Sequence, residues 1–177
     1  MKWINTLLYW PFYFLYTTSS CKEEILKDLE ANSIYGASIL IRLAQAGANR
    51  YFRGLLYFRN RNIISKVLRV FYPKERLFIL DIHSKIGGGL RLAHPYSTII
   101  NARSLGENCY INHLVTIGEK TGQKPTIGNN VQIHANATII GGITIGNDVI
   151  IGAGAVVVKD VPNGCVVIGN PARIIKT

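Results

Sequence analysis

The sequence has few cysteines, and their spacing excludes a thiol-rich metal site. Its 177 residues include only three, Cys21, Cys109 and Cys165, and no two of them form a CxxC pair. A chain of this length buries enough apolar surface to fold without disulfides. We therefore expect reduced thiols, no metal cluster and a cytoplasmic location.

Acidic residues are also scarce, since ten Asp and Glu stand against twenty Lys and Arg. Residues 42–76 hold nine of the basic residues and a single acidic one, Glu75. Such a patch suits an anionic partner such as a membrane surface, a phosphate or an acidic glycan. The charge fits nucleic acid equally well, but no recognition motif accompanies it, so we expect no nucleic-acid partner.

No apolar run is long enough for a membrane span. The N-terminal segment MKWINTLLYWPFYFLYTT falls short of the roughly 20 residues that a spanning helix needs, and Pro11 interrupts it. It has no small-residue cleavage site of a secretory signal. The segment either lies peripherally at the inner face of a membrane or packs against its own domain or a sister subunit.

The first part of the chain has helical periodicity. Ser20 is expected to cap a helix whose first turn holds Glu23 and Glu24, and apolar residues recur at helical spacing to about residue 72. We expect two regions: an apolar, basic helical region at 1–77 and a repeat domain with a C-terminal cap at 78–177.

From Phe78 an aliphatic residue returns at every sixth position, a period that fits neither a helix nor a strand. The anchors are Ile86, Leu92, Ile99, Leu105, Ile111, Ile117, Ile127, Ile133, Ile139, Ile145, Ile151 and Val157, with one extra residue before Ile99 and four before Ile127. Three six-residue units close a triangular coil, and successive coils stack as parallel strands about 4.8 Å apart. The predicted fold is a parallel β-helix with inward anchors.

The motifs DIHSKIGGGL, INHLVTIG, PTIGNNVQIHANATIIGGITIG and VIGNPARII resemble those of the hexapeptide-repeat acyltransferases. The resemblance runs from about Asp81 to Thr177 and points to the serine acetyltransferase branch. With the helical region included, the chain looks most similar to enzymes that O-acetylate capsular or colanic-type polysaccharides. The resemblance implies a left-handed β-helix, acetyl-CoA as co-substrate, and a homotrimer with each active site shared between two chains.

Two histidines are the candidate catalytic residues. Residues two positions after an anchor lie at one corner of the prism, which aligns His94, His113, Ala135 and Ala153. A neutral imidazole can take the proton of an attacking hydroxyl, so His94 is predicted to be the general base. His113 orients the acceptor, replaces His94 as base, or has no role. The resemblance adds Asp81 as the carboxylate that orients the histidine.

The same corner offers room for a cofactor. Small side chains at Ala135 and Ala153 would let the extended arm of acetyl-CoA lie along the backbone. The resemblance implies further contacts at Gly118, before the loop EKTGQKPT, and at Lys159 and Arg173 for the CoA phosphates. No metal is expected, since the HxxxxH spacing of the γ-class carbonic anhydrases is missing.

The residues expected to select the acceptor differ from those of serine acetyltransferases. Where those enzymes carry an Asp before the histidine and an Arg-His pair in the loop, this chain has Ala93, Gln123 and Lys124. This difference favours a sugar hydroxyl of a bacterial capsular or exopolysaccharide, or its precursor, as acceptor. The alternatives are serine or another small molecule as the acceptor, and a non-catalytic β-helix scaffold.

Overall fold

A computed structural model describes residues 7–176, so the first six residues of the apolar N-terminal segment lie outside the described part. Residues 7–9 are helical, and in residues 10–176 five helices precede fifteen short strands. The helices are α1 (Pro11–Thr17), α2 (Lys22–Ala31), α3 (Ile39–Ala48), α4 (Arg50–Arg59) and α5 (Ile63–Phe71). No helix in residues 7–176 is long and apolar enough to cross a bilayer.

The strands follow one another around a three-sided prism. They are β1 (Phe78–Leu80), β2 (Lys85–Ile86), β3 (Arg91–Leu92), β4 (Thr98–Ile100), β5 (Ser104–Leu105), β6 (Tyr110–Ile111), β7 (Thr116–Gly118), β8 (Thr126–Ile127), β9 (Gln132–Ile133), β10 (Thr138–Ile140), β11 (Thr144–Ile145), β12 (Ile150–Ile151), β13 (Val156–Val157), β14 (Val166–Ile168) and β15 (Arg173–Lys176).

From β1 to β13, every third strand joins the same sheet. Sheet A has the order β1-β4-β7-β10-β13, sheet B the order β2-β5-β8-β11, and sheet C the order β3-β6-β9-β12-β14-β15. All neighbours are parallel except β14 and β15, which form an antiparallel cap. The predicted parallel β-helix with hexapeptide repeats and an N-terminal helical segment is therefore confirmed.

The core is built from the anchors and from the residue two positions before each. Ile133, Ile139 and Ile151 are fully buried, and so are Val131 and Ala137. Cys109 and Cys165 occupy the same inward positions as free thiols, and burial raises the pKa of Cys109 to about 11. These cysteines are packing residues.

The extra residue between Leu92 and the next anchor makes one sequence prediction wrong. Ile99 faces outward and is 39% exposed, whereas Ile100 is fully buried and aligns with Ile117. The spacing between inward anchors is thus eight residues from Leu92 to Ile100 and five from Ile100 to Leu105. A strand alternates its faces, so a shift by one residue turns every side chain to the opposite face.

An asparagine ladder closes the corner between sheets B and C. The side-chain oxygen of Asn129 accepts the Glu107 backbone N–H (2.8 Å), Asn147 accepts that of Asn129 (2.7 Å), and Asn163 accepts that of Asn147 (2.8 Å). A Cβ at Gly128 would lie 2.5 Å from the Asn147 oxygen, so the glycine is needed for close approach. Gly128 thus supplies the space for the asparagine of the next coil, and Asn129 supplies the acceptor for the preceding one.

The helices pack on the first coil through a buried ion pair. Arg59 donates from Nε to Asp28 Oδ2 (2.9 Å) and from Nη2 to Asp28 Oδ1 (3.1 Å), and it also donates to the carbonyls of Ile86 and Gly87. Asp28 Oδ1 accepts the Leu90 backbone N–H at 2.9 Å. Burial raises the pKa of Asp28, and the guanidinium of Arg59 opposes that shift.

The start of α2 differs from the sequence prediction. Its N-cap residue is Cys21, without a side-chain cap, and the Ser19 hydroxyl accepts the Cys21 N–H at 3.0 Å. Ser20 is therefore not the cap. Glu23 and Glu24 lie in the first turn, as expected for side chains that oppose the helix dipole.

Candidate active site

The two candidate histidines lie at one corner of the prism, where the chain passes from sheet C to sheet A. Leu92 pairs with Ile111, and Ile111 pairs with Ile133, so the residues that follow stack in the same order. His94 and His113 therefore occupy consecutive coils, about one strand spacing of 4.8 Å apart along the backbone.

Pro95 gives the His94 coil a different backbone from the coils that follow it. Leu114, Asn136 and Gly154 take positive φ angles of 58°, 60° and 69° at the third position after the anchor. Pro95 stands at that position in the first coil, and its ring fixes φ near −65°. The bend is made by His94 (φ 51°) and Ser97 (φ 48°) instead, which accommodates the extra residue.

His113 is held by its neighbour Asn112. The Asn112 oxygen accepts the His113 backbone N–H at 2.8 Å and lies 2.7 Å from the ring Nδ1. Because a backbone N–H identifies this atom as the acceptor, Nδ1 of the neutral ring must carry the hydrogen. The lone pair is then on Nε2, the form required of a base. Sequence analysis missed Asn112.

A cavity of about 320 Å³ opens beside His94, between the helices and the first coil. His94, Arg91 and Ala93 line its β-helix side, and Tyr51 and Asn49 line its helical side. The Arg91 guanidinium also lies over the Tyr110 ring, 5.3 Å from its centroid. The cavity is large enough for a small polar molecule next to the imidazole. Sequence analysis missed Arg91 as a lining residue, because the cavity forms only when the helices pack on the coil.

The small residues expected along the cofactor path are in register with the histidines. Ala135 and Ala153 follow Ile133 and Ile151, which pair directly, and Gly154 N–H donates to the Ala135 carbonyl at 2.9 Å. Gly118 ends β7 on the adjoining sheet A, where a Cβ would meet Ile140 Cδ1 at 3.1 Å. Ala135 and Ala153 thus continue the histidine corner along the prism, whereas Gly118 lies at the opposite edge of sheet A.

Lys159 and Arg173 lie together near the C-terminal cap. Both line a cavity of about 490 Å³ with Val157, Val161 and Ile174. Asp160 also lines it, and its carboxylate accepts the Thr144 N–H at 2.7 Å. The structure thus brings the two predicted phosphate-binding residues to one site, away from the histidine corner.

Asp81 lies at a different corner, where the chain passes from sheet A to sheet B. Its Oδ1 accepts the His83 backbone N–H at 2.7 Å and lies 3.4 Å from Lys124 Nζ. Desolvation raises the pKa of Asp81, but the His83 N–H and the Lys124 ammonium outweigh it, and the net shift is downward. Within this chain the carboxylate thus binds Lys124 and His83, while His94 occupies the other edge of sheet A.

Lys124 and Gln123 belong to the four-residue insertion after Gly118. Lys120 and Gln123 pair through both backbone N–H groups at 3.0 Å, and the Gln123 side chain packs on Gly142. The loop is therefore ordered against the next coil. Within residues 7–176, no group of three or more His, Cys, Asp or Glu side chains could hold a metal ion.

The comparisons with known proteins agree with this architecture. The family described as Bacterial transferase hexapeptide (six repeats) matches residues 124–159. Serine acetyltransferase 1, chloroplastic, of Arabidopsis thaliana is 42% identical over 127 residues, 68% of this chain and 40% of the relative. The serine acetyltransferase of Synechococcus elongatus is 39% identical over 127 residues, 68% of this chain and 51% of the relative.

Solved structures give the same result over more of the chain. The serine acetyltransferase of Neisseria gonorrhoeae in complex with serine has a TM-score of 0.64 at 28% identity and covers 93% of this chain and 73% of its own. The soybean serine acetyltransferase apoenzyme has a TM-score of 0.63 at 29% identity and covers 88% of this chain and 69% of its own.

The repeat region of the chain, residues 124–159, thus matches the hexapeptide-repeat transferase family. Within it, the relatives and structural neighbours reported above are serine acetyltransferases, and the chain spans about half the length of the two curated relatives or less. The expectation that the chain is nearest to capsular or colanic acid O-acetyltransferases, and that it acetylates a polysaccharide, is therefore wrong. The absence of the amino-acid contacts at Ala93 and Gln123 was insufficient evidence against a small acceptor.

Proposed function

We propose that this protein transfers the acetyl group of acetyl-CoA to the hydroxyl of serine or a similarly small acceptor. The observation that carries this proposal is the stacking of His94 and His113 beside a cavity of about 320 Å³, in a fold shared with serine acetyltransferases. A cavity of this size suits an amino acid better than a sugar chain.

In the proposed reaction, the His94 imidazole takes the proton of the acceptor hydroxyl. The hydroxyl oxygen attacks the thioester carbonyl carbon, a C–O bond forms, and the C–S bond breaks. The imidazolium then returns the proton to the departing CoA thiolate. The products are the O-acetyl acceptor and free CoA, with no change of oxidation state.

His113 takes a supporting role in this mechanism. Its Nε2 lone pair, set by the bond between Nδ1 and Asn112, lies on the coil next to His94 and can accept a hydrogen bond from the acceptor or from the His94 ring. His94 is assigned as the base because it lines the cavity, which His113 does not.

Arg91 is the proposed partner of the acceptor carboxylate. It lines the same cavity as His94, and the residues that line this cavity include no acidic side chain. Its guanidinium packs on Tyr110, which limits its motion. A guanidinium recognises a carboxylate through two parallel hydrogen bonds, so Arg91 would take the role expected of the loop arginine that Gln123 replaces.

The site is proposed to be completed by a second copy of the chain. Asp81 and Lys124 lie at the corner between sheets A and B, and His94 lies at the corner between sheets C and A. One copy cannot bring these edges together. A ring of three prisms, in which one subunit's Asp81 corner faces the next subunit's His94 corner, supplies the carboxylate that orients the imidazole.

Acetyl-CoA is proposed to extend from the histidine corner over Ala135 and Ala153, with its phosphates at Lys159 and Arg173. Two positive charges at this cavity exceed the single negative charge of Asp160, which suits the phosphates, and the small residues admit the extended arm.

The test is acceptor-dependent release of the CoA thiol by the full-length chain. With acetyl-CoA and serine we expect thiol release well above the rate without acceptor, together with O-acetylserine in the product mixture. Thiol release that serine and related small hydroxyl compounds all fail to stimulate would overturn the proposal. His94→Ala is the negative control.

A further inference from the structure

Helix α5 has two apolar faces, and only one of them packs against other parts of residues 7–176. Ser65 and Leu68 are buried against the rest of the helical region. A second stripe remains in solvent at Ile63, Val67, Val70 and Phe71, whose exposed fractions are 70%, 51%, 77% and 72%. These positions are separated by four, three and one residues, the spacing of one continuous helical face.

Helix α1 and the residues just before it add aromatic and aliphatic surface near the end of α5. Phe12 and Leu15 are buried, whereas Leu8, Trp10 and Phe14 are each more than half exposed. The Tyr72 hydroxyl, directly after α5, donates to the Leu8 carbonyl at 2.8 Å. The α1/α5 surface, defined as Leu8, Trp10, Phe14, Ile63, Val67, Val70 and Phe71, is larger than the scattered apolar residues usual on a soluble domain.

A positively charged cavity of about 70 Å³ lies along the other flank of α5. Arg61, Arg69 and Lys74 line it together with Leu80 and Ile82, and no acidic residue is among its lining. Arg69 donates to the Tyr57 carbonyl at 3.2 Å, and its guanidinium lies 5.2 Å from the Tyr57 ring centroid. Three fixed cations without a carboxylate are a site for an anion.

The ionisation of Lys74 agrees with an anion site. Burial, and then the charge of Arg69, lowers the pKa of Lys74. A bound anion would offset both effects. Viewed down the helix axis, Lys66 lies between Val70 and Arg69. Basic side chains therefore border the apolar stripe on the flank that leads to the cavity.

We propose that the α1/α5 surface binds an anionic phospholipid surface. The apolar side chains enter the interface between headgroups and acyl chains, and Arg61, Arg69 and Lys74 bind a lipid phosphate. A second copy of the chain is the less favourable occupant. A two-fold contact through this surface would place Lys66 and Arg69 next to their own copies, and like charges repel.

Vesicle flotation with the full-length protein tests this inference. We expect the protein to float with vesicles of phosphatidylcholine and phosphatidylglycerol in equal parts, and to stay in solution with pure phosphatidylcholine. Lys66→Glu changes the surface charge by two units and should weaken vesicle binding about 30-fold. Lys22→Glu makes the same charge change at an exposed position of α2. It is the matched control and should bind vesicles almost as well as the wild type.

The apolar contribution has its own pair of variants. Val70→Asp should abolish flotation, and Val158→Asp, the same substitution at an exposed position near the C-terminal cap, should not. The inference would be overturned if the two control variants lost as much vesicle binding as Lys66→Glu and Val70→Asp. Binding to inorganic phosphate without binding to vesicles would overturn it as well. A change of oligomeric size in Val70→Asp without a change in flotation would identify a protein interface instead. Acetyl transfer, measured separately, keeps this outcome distinct from the proposed function.

Discussion

Asp81 and Lys124 form an ion pair, with 3.4 Å between Oδ1 and Nζ, one full prism face away from His94. Asp81 follows β1 and Lys124 precedes β8, so both belong to the corner between sheets A and B, although 43 positions separate them in the sequence. His94 follows β3 and belongs to the corner between sheets C and A. The hypothesis that Asp81 orients His94 therefore requires a contact between two copies of the chain.

The left-handed backbone at His94 predicts a conflict between stability and activity. A non-glycine residue in this region costs about 1–2 kcal/mol, which His94→Gly relieves in part, since glycine also loses more entropy on folding. We expect the midpoint of thermal unfolding to stay constant or rise while acetyl transfer is lost. His94→Ala should lose as much activity as His94→Gly, but without any rise in the midpoint of thermal unfolding. A large drop in melting temperature for His94→Gly would show that the ring has a structural role.

Arg91→Ala should raise the KM for serine with a smaller effect on kcat. Hydrogen bonds to a charged group contribute about 1.5–3 kcal/mol, which corresponds to roughly 10- to 150-fold in KM. Arg91→Lys keeps the charge but loses the two-bonded geometry, and it should recover only part of the affinity. Lys22→Ala, which removes an exposed cation at the start of α2, is the control. Equal KM values for all three variants would assign the carboxylate to another residue.

Asp28→Asn should be among the most destabilising single substitutions in the helical region. The change leaves the Arg59 guanidinium buried without a carboxylate, at a cost of about 3–5 kcal/mol in the free energy of unfolding. Asp148→Asn is the matched control, because this exposed residue has a positive φ that asparagine tolerates. Denaturant unfolding measures both. A cost near zero for Asp28→Asn would show that the pair does not hold the helices on the first coil.

The asparagine ladder predicts a smaller loss. Asn147→Ala removes the acceptor of the Asn129 N–H and should cost about 1–3 kcal/mol of unfolding free energy. Asn147→Asp retains a side-chain oxygen at the same place and should recover most of that loss. If the alanine and aspartate variants unfold at the same denaturant concentration, the hydrogen bond contributes nothing.

The sequence predicted the β-helix because a buried anchor at every sixth residue is a local pattern. It misplaced the anchor at Ile99 because the six-residue count ignored Pro95, whose ring cannot take the left-handed φ used at Leu114 and so shifts the bend and the next anchor. It could not predict the Asp28–Arg59 pair or the cavity beside Arg91, which depend on how the helices pack on the first coil. The roles of His94 and His113 and the left-handed winding stay predictions.

The acceptor shows a further limit of sequence reasoning. Ala93 and Gln123 do lack the groups expected to bind an amino acid, but another side chain that lines the cavity can supply the same chemistry. Arg91 lies two residues from Ala93 and lines the cavity that the helices close. The relatives, rather than the missing contacts, gave the better guide to the acceptor.

Mixed assemblies of two inactive variants test the shared active site most directly. Asp81→Asn removes the orienting carboxylate and His94→Ala removes the base, and each homogeneous preparation should be nearly inactive in acetyl-CoA thiol release with serine. If the site forms between copies, unfolding the two variants together and refolding them creates interfaces that join an intact Asp81 to an intact His94, and activity returns. Mixtures that stay as inactive as their components, while the wild type refolds with full activity, would contradict the account.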